Sequence, residues 1–385
     1  MSGAGLTPTV FLRNDRDGGA AMAFSEPEGF VTCRTAAKLG LAFAAIERAL
    51  HRGLHVAGAF AYELGYALEP RLGRLMPAPM VPLIHVGLFA RADRLSHDAA
   101  EAMVAQNAGV ALPPVAMTVA ERRPAYKAKI ARILDYIAAG DVYQVNYTFP
   151  LRFAWAAGPW PLYARLAPRQ RVAFGAVLDL PDLRAVSLSP ELFFRKRGTR
   201  IEARPMKGTA RRGRDAAEDA VLAADLAADP KNRAENLMIV DLIRNDLGRI
   251  ARVGSVAVDA LFVVEAYETL HQMTSTVSGE VVPGMAVLDV FRALFPCGSV
   301  TGAPKIRAME IIAELEDAPR GVYTGAIGWI APDRSMTFSV PIRTVALEGV
   351  NATMGIGSGI VADSDPDREY DECLLKADFL RRALG

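Results

Sequence analysis

The segment Val145-Asn146-Tyr147-Thr148-Phe149-Pro150-Leu151-Arg152-Phe153 places a large apolar residue at every second position. Side chains of a β-strand point alternately to the two faces of a sheet, so this period of two predicts a long, half-buried strand. Such clean alternation is typical of antiparallel sheets with one covered face. Just before it, apolar residues recur on one face of 124–139, which predicts a helix that ends at Gly140.

Working outward from this strand, the same patterns predict further strands and helices on both sides. The predicted strands are 56–62, 83–90, 173–180, 185–188, 325–330, 337–345 and 352–356, and the other predicted helices are 36–52, 229–250, 301–315 and 365–385. Runs of strands between isolated helices predict an α+β protein with antiparallel sheets. The stretch Ala111-Leu112-Pro113-Pro114 divides the chain into a predicted N-terminal subdomain, 1–112, and a second, larger domain, 117–385.

Composition excludes several classes of protein. The 385 residues are 51% hydrophobic and 23% charged, and the formal net charge of +1 argues against a partner that is nucleic acid or an anionic membrane. We find no apolar run long enough to cross a membrane and no signal peptide. The three cysteines, Cys33, Cys297 and Cys373, form no CxxC pair, so we expect reduced thiols and a cytoplasmic location.

A candidate site begins at Arg204-Pro205-Met206-Lys207-Gly208-Thr209, sixteen residues after Glu191. The proline fixes φ, and the glycine lets the backbone approach a ligand closely. A lysine held in this way is an anion contact or, with a lowered pKa, a nucleophile. A basic residue in a solvated turn remains the alternative.

Carboxylates on two predicted helices form a candidate metal site. Glu235 is followed by the apolar run 237–240, so its carboxylate is expected near the core, where it needs a cation or a shifted pKa. Glu369, Glu372 and Lys376 share one face of the last predicted helix. Oxygen-only ligands favour Mg²⁺. The alternative for Glu372 and Lys376 is an ordinary exposed i,i+4 ion pair.

Two further features favour an anionic ligand. Arg343 interrupts an apolar predicted strand and is difficult to bury without an anionic partner. Gly355, Gly357 and Gly359 can offer backbone N–H groups to a carboxylate. Together with the carboxylates, these residues predict a pocket for a small, polyanionic substrate bridged by a metal.

From about residue 126 to residue 380, the chain resembles the chorismate-utilising enzymes, the family of anthranilate, aminodeoxychorismate and isochorismate synthases. The resemblance is carried by these blocks: Gly140-Asp-Val-Tyr-Gln-Val-Asn146, Ser189-Pro-Glu-Leu-Phe193, Glu235-Asn-Leu-Met-Ile-Val-Asp-Leu-Ile-Arg-Asn-Asp246, Gly298-Ser-Val-Thr-Gly-Ala-Pro-Lys305 and Arg368-Glu-Tyr-Asp-Glu372. The block Phe60-Ala-Tyr-Glu-Leu-Gly-Tyr66 is similar to one in component I members. Cys297 stands where the family usually has glycine, which we interpret as a packing variation. The fold that the resemblance implies, similar to anthranilate synthase component I, has two packed antiparallel sheets with helices outside.

Lysine at 207 implies one branch of the family. Aminodeoxychorismate synthases carry Lys in Pro-x-Lys-Gly-Thr, where anthranilate and isochorismate synthases usually carry Ala. The implied activity is therefore that of a component I that aminates chorismate to 4-amino-4-deoxychorismate, the first step toward p-aminobenzoate and folate. With no lyase segment after Gly385, we expect 4-amino-4-deoxychorismate as the product. The alternatives are anthranilate synthase component I and a catalytically silent ligand-binding subunit. Intact Glu191, Glu235 and Glu372 argue against the silent subunit.

The resemblance also implies roles for individual residues. Lys207 would attack ring carbon 2 of chorismate, Glu191 would act as general acid, and Glu235 and Glu372 would bind Mg²⁺; His271 matches a family histidine near the site. Substrate contacts are implied for Gly208, Thr209, Tyr323, Arg343, Gly357, Ser358, Gly359 and Lys376. The chain shows no Gly-x-Cys-x-Gly elbow of a glutaminase, so ammonia is expected from a separate glutamine amidotransferase subunit or from free ammonium.

Overall fold

The strands of the chain form two sheets in a computed structural model that describes residues 9–16, 18–109, 115–267 and 270–385. Within these residues the strands are β1 (Val10–Arg13), β2 (Ala21–Phe24), β3 (Gly29–Cys33), β4 (His55–Phe60), β5 (Ile84–Phe89), β6 (Asp93–Leu95), β7 (Met117–Val119), β8 (Gln144–Ala154), β9 (Phe174–Leu180), β10 (Leu183–Ser189), β11 (Leu192–Arg197), β12 (Arg200–Arg204), β13 (Met206–Arg211), β14 (Ala257–Ala266), β15 (Leu270–Glu280), β16 (Gly302–Ala303), β17 (Ala326–Ile330), β18 (Met336–Ser339), β19 (Thr344–Glu348) and β20 (Asn351–Ile360). The α-helices are α1 (Leu39–His51), α2 (Leu64–Leu68), α3 (His97–Gln106), α4 (Arg123–Ala138), α5 (Pro159–Leu166), α6 (Ala216–Ala228), α7 (Pro230–Gly248), α8 (Val287–Leu294), α9 (Lys305–Leu315), α10 (Pro366–Leu375) and α11 (Asp378–Leu384).

Each sheet has ten strands, and the pairing is antiparallel throughout the part of the chain that the structure describes. The first sheet has the order β16-β8-β20-β19-β10-β9-β1-β2-β6, and β7 also pairs with β8. The second has the order β13-β15-β12-β11-β18-β17-β4-β5-β3, and β14 also pairs with β15. The long strand predicted at 145–153 is β8, which pairs with β20 over ten residues. The α+β class with two antiparallel sheets is therefore confirmed.

The two sheets pack face to face, with helices on their outer faces. Leu178 of the first sheet and Ile327 of the second belong to one buried cluster between the sheets. On the outer face of the first sheet, Ile130 of α4 is buried in a cluster with Tyr147. On the outer face of the second, Phe291 of α8 stacks on Phe60 with ring centroids 4.2 Å apart. Apolar residues at alternate strand positions thus fill three separate cores.

The N-terminal residues extend both sheets. β1 pairs with β9 of the first sheet, and β4 pairs with β17 of the second. The buried Glu63 accepts hydrogen bonds from the backbone N–H groups of Arg320, at 2.7 Å, and Gly321. The division predicted at 112 and 117 stays a prediction, because the boundary stretch 111–114 falls outside the described residues.

Four predicted elements differ clearly from the observed ones. The strand predicted at 352–356 is β20, which continues to Ile360. The prediction of one strand at 337–345 is wrong, because these residues form β18 of the second sheet and β19 of the first. Pro341, which has no N–H group for pairing, lies where the chain crosses from one sheet to the other. The helix predicted from 301 begins at Lys305, because Gly302 and Ala303 pair with β8. The last predicted helix is two helices, α10 and α11. None of the helices in the described ranges is long and apolar enough to span a membrane.

Candidate active site

Glu191 lies in the turn between β10 and β11 and is only 3% exposed. Its Oε1 accepts a hydrogen bond of 2.6 Å from the Ser299 hydroxyl, and its backbone N–H donates to the Ser189 hydroxyl at 3.2 Å. Burial raises the pKa of Glu191 to about 7, against the hydrogen bond from Ser299 and the positive charge of Lys207. The carboxyl group can therefore hold a proton near neutral pH, as a general acid must.

Lys207 lies in β13, where the register with β15 is interrupted between Met206 and Thr209. Gly208 follows with φ of +85°, a conformation that favours glycine, and this irregularity sets the position of the lysine. A Cβ atom built on Gly359 would lie 2.9 Å from the Lys207 Nζ. The lysine amine therefore lies directly against the backbone of β20 in the other sheet.

Four charged side chains act on Lys207: the three predicted catalytic and metal-binding carboxylates and the Lys376 ammonium. Burial is the largest influence and lowers the pKa of Lys207, and the positive charge of Lys376 acts in the same direction. Glu235, Glu191 and Glu372 oppose this lowering. The structure thus brings these five side chains to one place, and burial favours the neutral amine.

The open edge of β20 offers backbone groups to a ligand. Gly357 pairs with Thr148, but the Thr148 N–H donates to Glu316 at 2.8 Å and the Gly357 carbonyl accepts from the Lys376 Nζ at 2.9 Å. The two residues are therefore a pair without mutual hydrogen bonds, whose N–H and C=O groups point away from each other. The N–H of Gly357, and that of Gly359 two residues later, accordingly face the open edge, where they can receive an anion.

Ser358 differs from the two glycines beside it. Its side chain points to the opposite face of β20, where its hydroxyl lies 3.3 Å from the Tyr126 hydroxyl. Since the side-chain period of a strand is two, a residue between two that face the site must face away. The prediction of Ser358 as a substrate contact stays a prediction, and its hydroxyl lies on the face of β20 opposite Lys207.

The carboxylates predicted to bind metal converge from α7 and α10. Burial raises the pKa of Glu235, and the charges of Glu369 and Glu372 raise it further. The Glu372 carboxylate pairs with the Lys376 Nζ at 2.7 Å, so the exposed i,i+4 pair considered as the alternative does form. Among the residues described, no three Cys, His, Asp or Glu side chains are arranged as a metal cage. Converging oxygen donors that repel one another nevertheless fit a hard cation such as Mg²⁺.

Arg343 lies at the crossing between the two sheets with φ of +52°. Burial lowers its pKa, Tyr267 opposes this lowering, and no carboxylate of the described residues does so. A cavity of about 260 Å³ is lined by Tyr267 and by the ion-paired Arg204 and Glu265, but not by Arg343 itself. A partly buried guanidinium without a neighbouring carboxylate fits a carboxylate ligand.

Tyr323 lies next to the glycines of β20. A Cβ atom on Gly355 would lie 2.1 Å from the Tyr323 Cδ1, so the ring takes the space that a side chain would fill. A second cavity, of about 220 Å³, is lined by Tyr323, Gly355 and the buried Glu121. The Tyr323 ring therefore packs on Gly355 and forms part of the wall of this cavity.

His271 and Thr209 lie on the pairing of β13 with β15. The buried His271 ring lies with Nε2 2.9 Å from Asp219 Oδ1, and its Nδ1 has no hydrogen-bond partner among the described residues. The Thr209 hydroxyl donates to Gln272 at 3.1 Å, and the Gly208 carbonyl accepts from the same amide at 2.8 Å. The Gln272 side chain thus fixes the two residues that follow Lys207.

Sequence reasoning missed Gln144, at the start of β8. Its side chain is fully buried, and neither amide atom has a hydrogen-bond partner in the described part of the chain. Its Nε2 would lie 3.1 Å from a Cβ atom on Gly359, on the side of β20 that Lys207 occupies. A buried, unpaired amide facing a site is available to a ligand. The available signal was a polar residue at the entrance of an apolar alternating run.

The chain is similar to several known proteins. A family model described as chorismate binding enzyme matches residues 20–382. Aminodeoxychorismate synthase component 1 of Bacillus subtilis (strain 168) is 42% identical over 255 residues, which cover 66% of this chain and 54% of that protein. Anthranilate synthase component 1 of Thermus thermophilus is 42% identical over 262 residues, which cover 68% of this chain and 57% of that protein. The chain thus spans little more than half the length of these relatives.

A solved structure shows the same fold. The crystal structure of anthranilate synthase component I from Streptococcus pneumoniae TIGR4 matches with a TM-score of 0.80 at 24% identity, over 93% of this chain and 91% of that chain.

Proposed function

Because this chain belongs to the family of chorismate-binding enzymes, we propose that it is an aminodeoxychorismate synthase component I. The observation that carries the proposal is the Lys207 amine, which lies against Gly359 with a pKa lowered by burial. A lysine that only binds an anion acts as the ammonium ion, whereas a nucleophile must be the neutral amine. Burial of the Lys207 amine, the largest influence on its pKa, favours the second role.

In the proposed reaction, Lys207 attacks ring carbon 2 of chorismate. The C2–N bond forms, the ring double bonds shift and the C4–O bond breaks, while Glu191 gives its proton to the departing 4-hydroxyl group to form water. Ammonia then attacks carbon 4, the double bonds shift back and the C2–N bond to Lys207 breaks. The surplus proton of the incoming nitrogen returns to Glu191. The net change is chorismate plus ammonia to 4-amino-4-deoxychorismate plus water.

The remaining residues would bind and orient the substrate. Arg343, which lacks an acidic neighbour within the described ranges, and the N–H groups of Gly357 and Gly359 suit the two carboxylates of chorismate. Tyr323 would bound the site where its ring packs on Gly355. Lys376, already bonded to the Gly357 carbonyl, would add a positive charge at the same edge.

Mg²⁺ is part of the proposal. Glu235 and Glu372 would hold the ion, which when bound neutralises negative charge on the ring carboxylate. Glu369 has a competing partner, because its Oε1 accepts a 2.8 Å hydrogen bond from Ser364. Titration calorimetry should show Mg²⁺ binding that Glu235→Gln weakens without lowering the free energy of unfolding. Full turnover after exhaustive chelation would contradict the assignment.

Ammonia and its source complete the proposal. The relative from B. subtilis is named as a component 1, and we propose that this chain likewise works with a glutamine amidotransferase subunit, in the cytoplasm, in p-aminobenzoate synthesis. The three free, buried cysteines agree with a reducing location. Glutamine should be a poor nitrogen donor for the isolated chain, and ammonium at alkaline pH should replace it. Glutamine-dependent product from pure protein would reveal a glutaminase site in the chain.

One experiment separates the proposal from the second candidate, anthranilate synthase component I, which the equally similar relative from T. thermophilus favours. The protein is incubated with chorismate, Mg²⁺ and ammonium, and the product is identified by mass spectrometry. Without ammonia, a chorismate adduct should be trapped on the peptide that contains Lys207. Lys207→Ala should lower kcat, retain chorismate binding and shift the product toward the anthranilate series. Anthranilate as the wild-type product, with no adduct, would favour the second candidate.

A further inference from the structure

Three buried side chains form a hydrogen-bonded chain behind the candidate general acid. The Cys297 Sγ lies 3.2 Å from the Ser299 Oγ, and the Ser299 hydroxyl donates to Glu191 Oε1 at 2.6 Å. All three residues are at most 4% exposed. Residues Gly298–Val300, which follow Cys297 and include Ser299, form a short 3₁₀ turn. The Cys297 carbonyl accepts a hydrogen bond from the Thr301 hydroxyl at 3.2 Å.

A hydroxyl has one proton to donate, so the direction of this chain matters. If the Ser299 proton points to Glu191, the sulfur must be the donor to Ser299. If the Ser299 proton points to the sulfur, Glu191 can bond to Ser299 only by placing its own proton on Oε1. In that second arrangement the acidic proton is turned toward Ser299 and away from the leaving group.

We propose that Cys297 is a positioning residue whose thiol donates to Ser299, so that Ser299 donates to Glu191 Oε1 and the acidic proton resides on Oε2. The inference rests on the proposed role of Glu191 as general acid. It assigns to Cys297 a contact that goes beyond the packing variation expected from the sequence.

The charged groups around the three hydrogen-bonded side chains keep the Cys297 thiol protonated, so it can donate a hydrogen bond. Burial raises the pKa of Cys297 to about 12, the charge of Glu191 acts in the same direction, and Lys305 opposes it. The Lys305 ammonium is itself paired with Asp246 at 2.5 Å. Among the residues that the structure describes, Lys207 is the charged side chain that acts on Glu191. The S–H group is therefore present across the pH range in which the enzyme would work.

The test compares Cys297→Ala, which removes the donor, with Cys297→Ser, which keeps one. Cys33→Ala is the matched control, because Cys33 is also buried and donates to a backbone carbonyl, that of Thr35, at 3.3 Å. We expect Cys297→Ala to lower kcat for chorismate consumption about two- to tenfold with KM unchanged. The descending limb of its pH–rate profile should move, and Cys297→Ser should restore both. Cys33→Ala should change neither.

A spectroscopic readout separates this inference from the proposed function. The infrared carboxyl band of protonated Glu191, identified by its loss in Glu191→Gln, should shift in Cys297→Ala and not in Cys33→Ala. An unmoved band with a wild-type pH–rate profile would overturn the role of Cys297, whatever the product. Equal defects in Cys297→Ala and Cys297→Ser would also overturn it, since side-chain packing would then be the cause. A product other than 4-amino-4-deoxychorismate would count against the proposed function alone, because any loss of the 4-hydroxyl group still needs an acid.

Discussion

Replacing Glu191 with glutamine should stabilise the protein at alkaline pH while it removes activity. The raised pKa means that the folded protein keeps the Glu191 proton to higher pH than the unfolded chain does, so the stabilising contribution is complete below pH 4.5 and is lost as pH rises through about 7. A difference between 4.5 and about 7 corresponds to about 3 kcal/mol at 1.36 kcal/mol per pKa unit. Most of this loss, on the order of 2–3 kcal/mol, falls between pH 5 and pH 8. Glutamine does not titrate, and its carbonyl can still accept from Ser299.

Denaturant unfolding at pH 5 and pH 8 measures the effect. The free energy of unfolding of Glu191→Gln, relative to wild type, should rise by on the order of 2–3 kcal/mol between the two pH values. The kcat of this variant should fall at least about a hundredfold. Glu348→Gln is the control, because Glu348 is exposed at the end of β19. If the wild type and Glu191→Gln lose stability in parallel between pH 5 and pH 8, Glu191 is not a buried acid with a raised pKa.

Three further predictions concern the same site. Gly359→Ala should lower kcat on the order of ten- to a hundredfold, because the Cβ of the new alanine would lie 2.9 Å from the Lys207 Nζ and displace the amine. Gly29→Ala is the control in steady-state assays, since a Cβ there meets nothing within 4 Å, and equal kcat values for the two variants would refute the packing argument. Arg343→Ala should raise KM for chorismate on the order of ten- to a hundredfold through loss of a charged contact, and an unchanged KM would remove Arg343 from the site. The wild-type kcat/KM should fall as pH rises above about 7, where free Glu191 loses its proton, and a profile that stays flat to pH 9 would contradict the acid role.

The parts of the fold that the sequence predicted well are those set by local pattern. The alternation at 145–153 predicted β8 to within one residue at each end, because alternate side chains of a paired strand enter the same core. Asp229 and Pro230 predicted the start of α7, and the Asp229 side chain does accept the Asn232 N–H at 2.7 Å. Both signals act over a few residues and do not depend on distant parts of the chain.

The sequence could not predict which of the two sheets each strand joins. Residues 337–345 read as one strand, because periodicity carries no information about the crossing at which Arg343 adopts a positive φ. The site shows the same limit: motifs indicated Lys207 and Glu191, whereas the contact of Cys297 with Ser299 depends on the shape of a turn. Gln144 could be recognised only once its amide was seen to be buried without a partner.

The N-terminal strands and Glu63 limit how this protein can be recombined with its relatives. A chimera joined within residues 111–114 would exchange one partner of the β1–β9 pair and one partner of the β4–β17 pair at the same time. It would also exchange the carboxylate of Glu63, which holds the backbone at Gly321 two residues before Tyr323. Such a hybrid would keep every motif residue after position 117 and still lose the contact that supports the backbone before Tyr323. Gene shuffling across this junction should therefore yield folded hybrids only when the strands that pair across it, β1 with β9 and β4 with β17, match in the two parents.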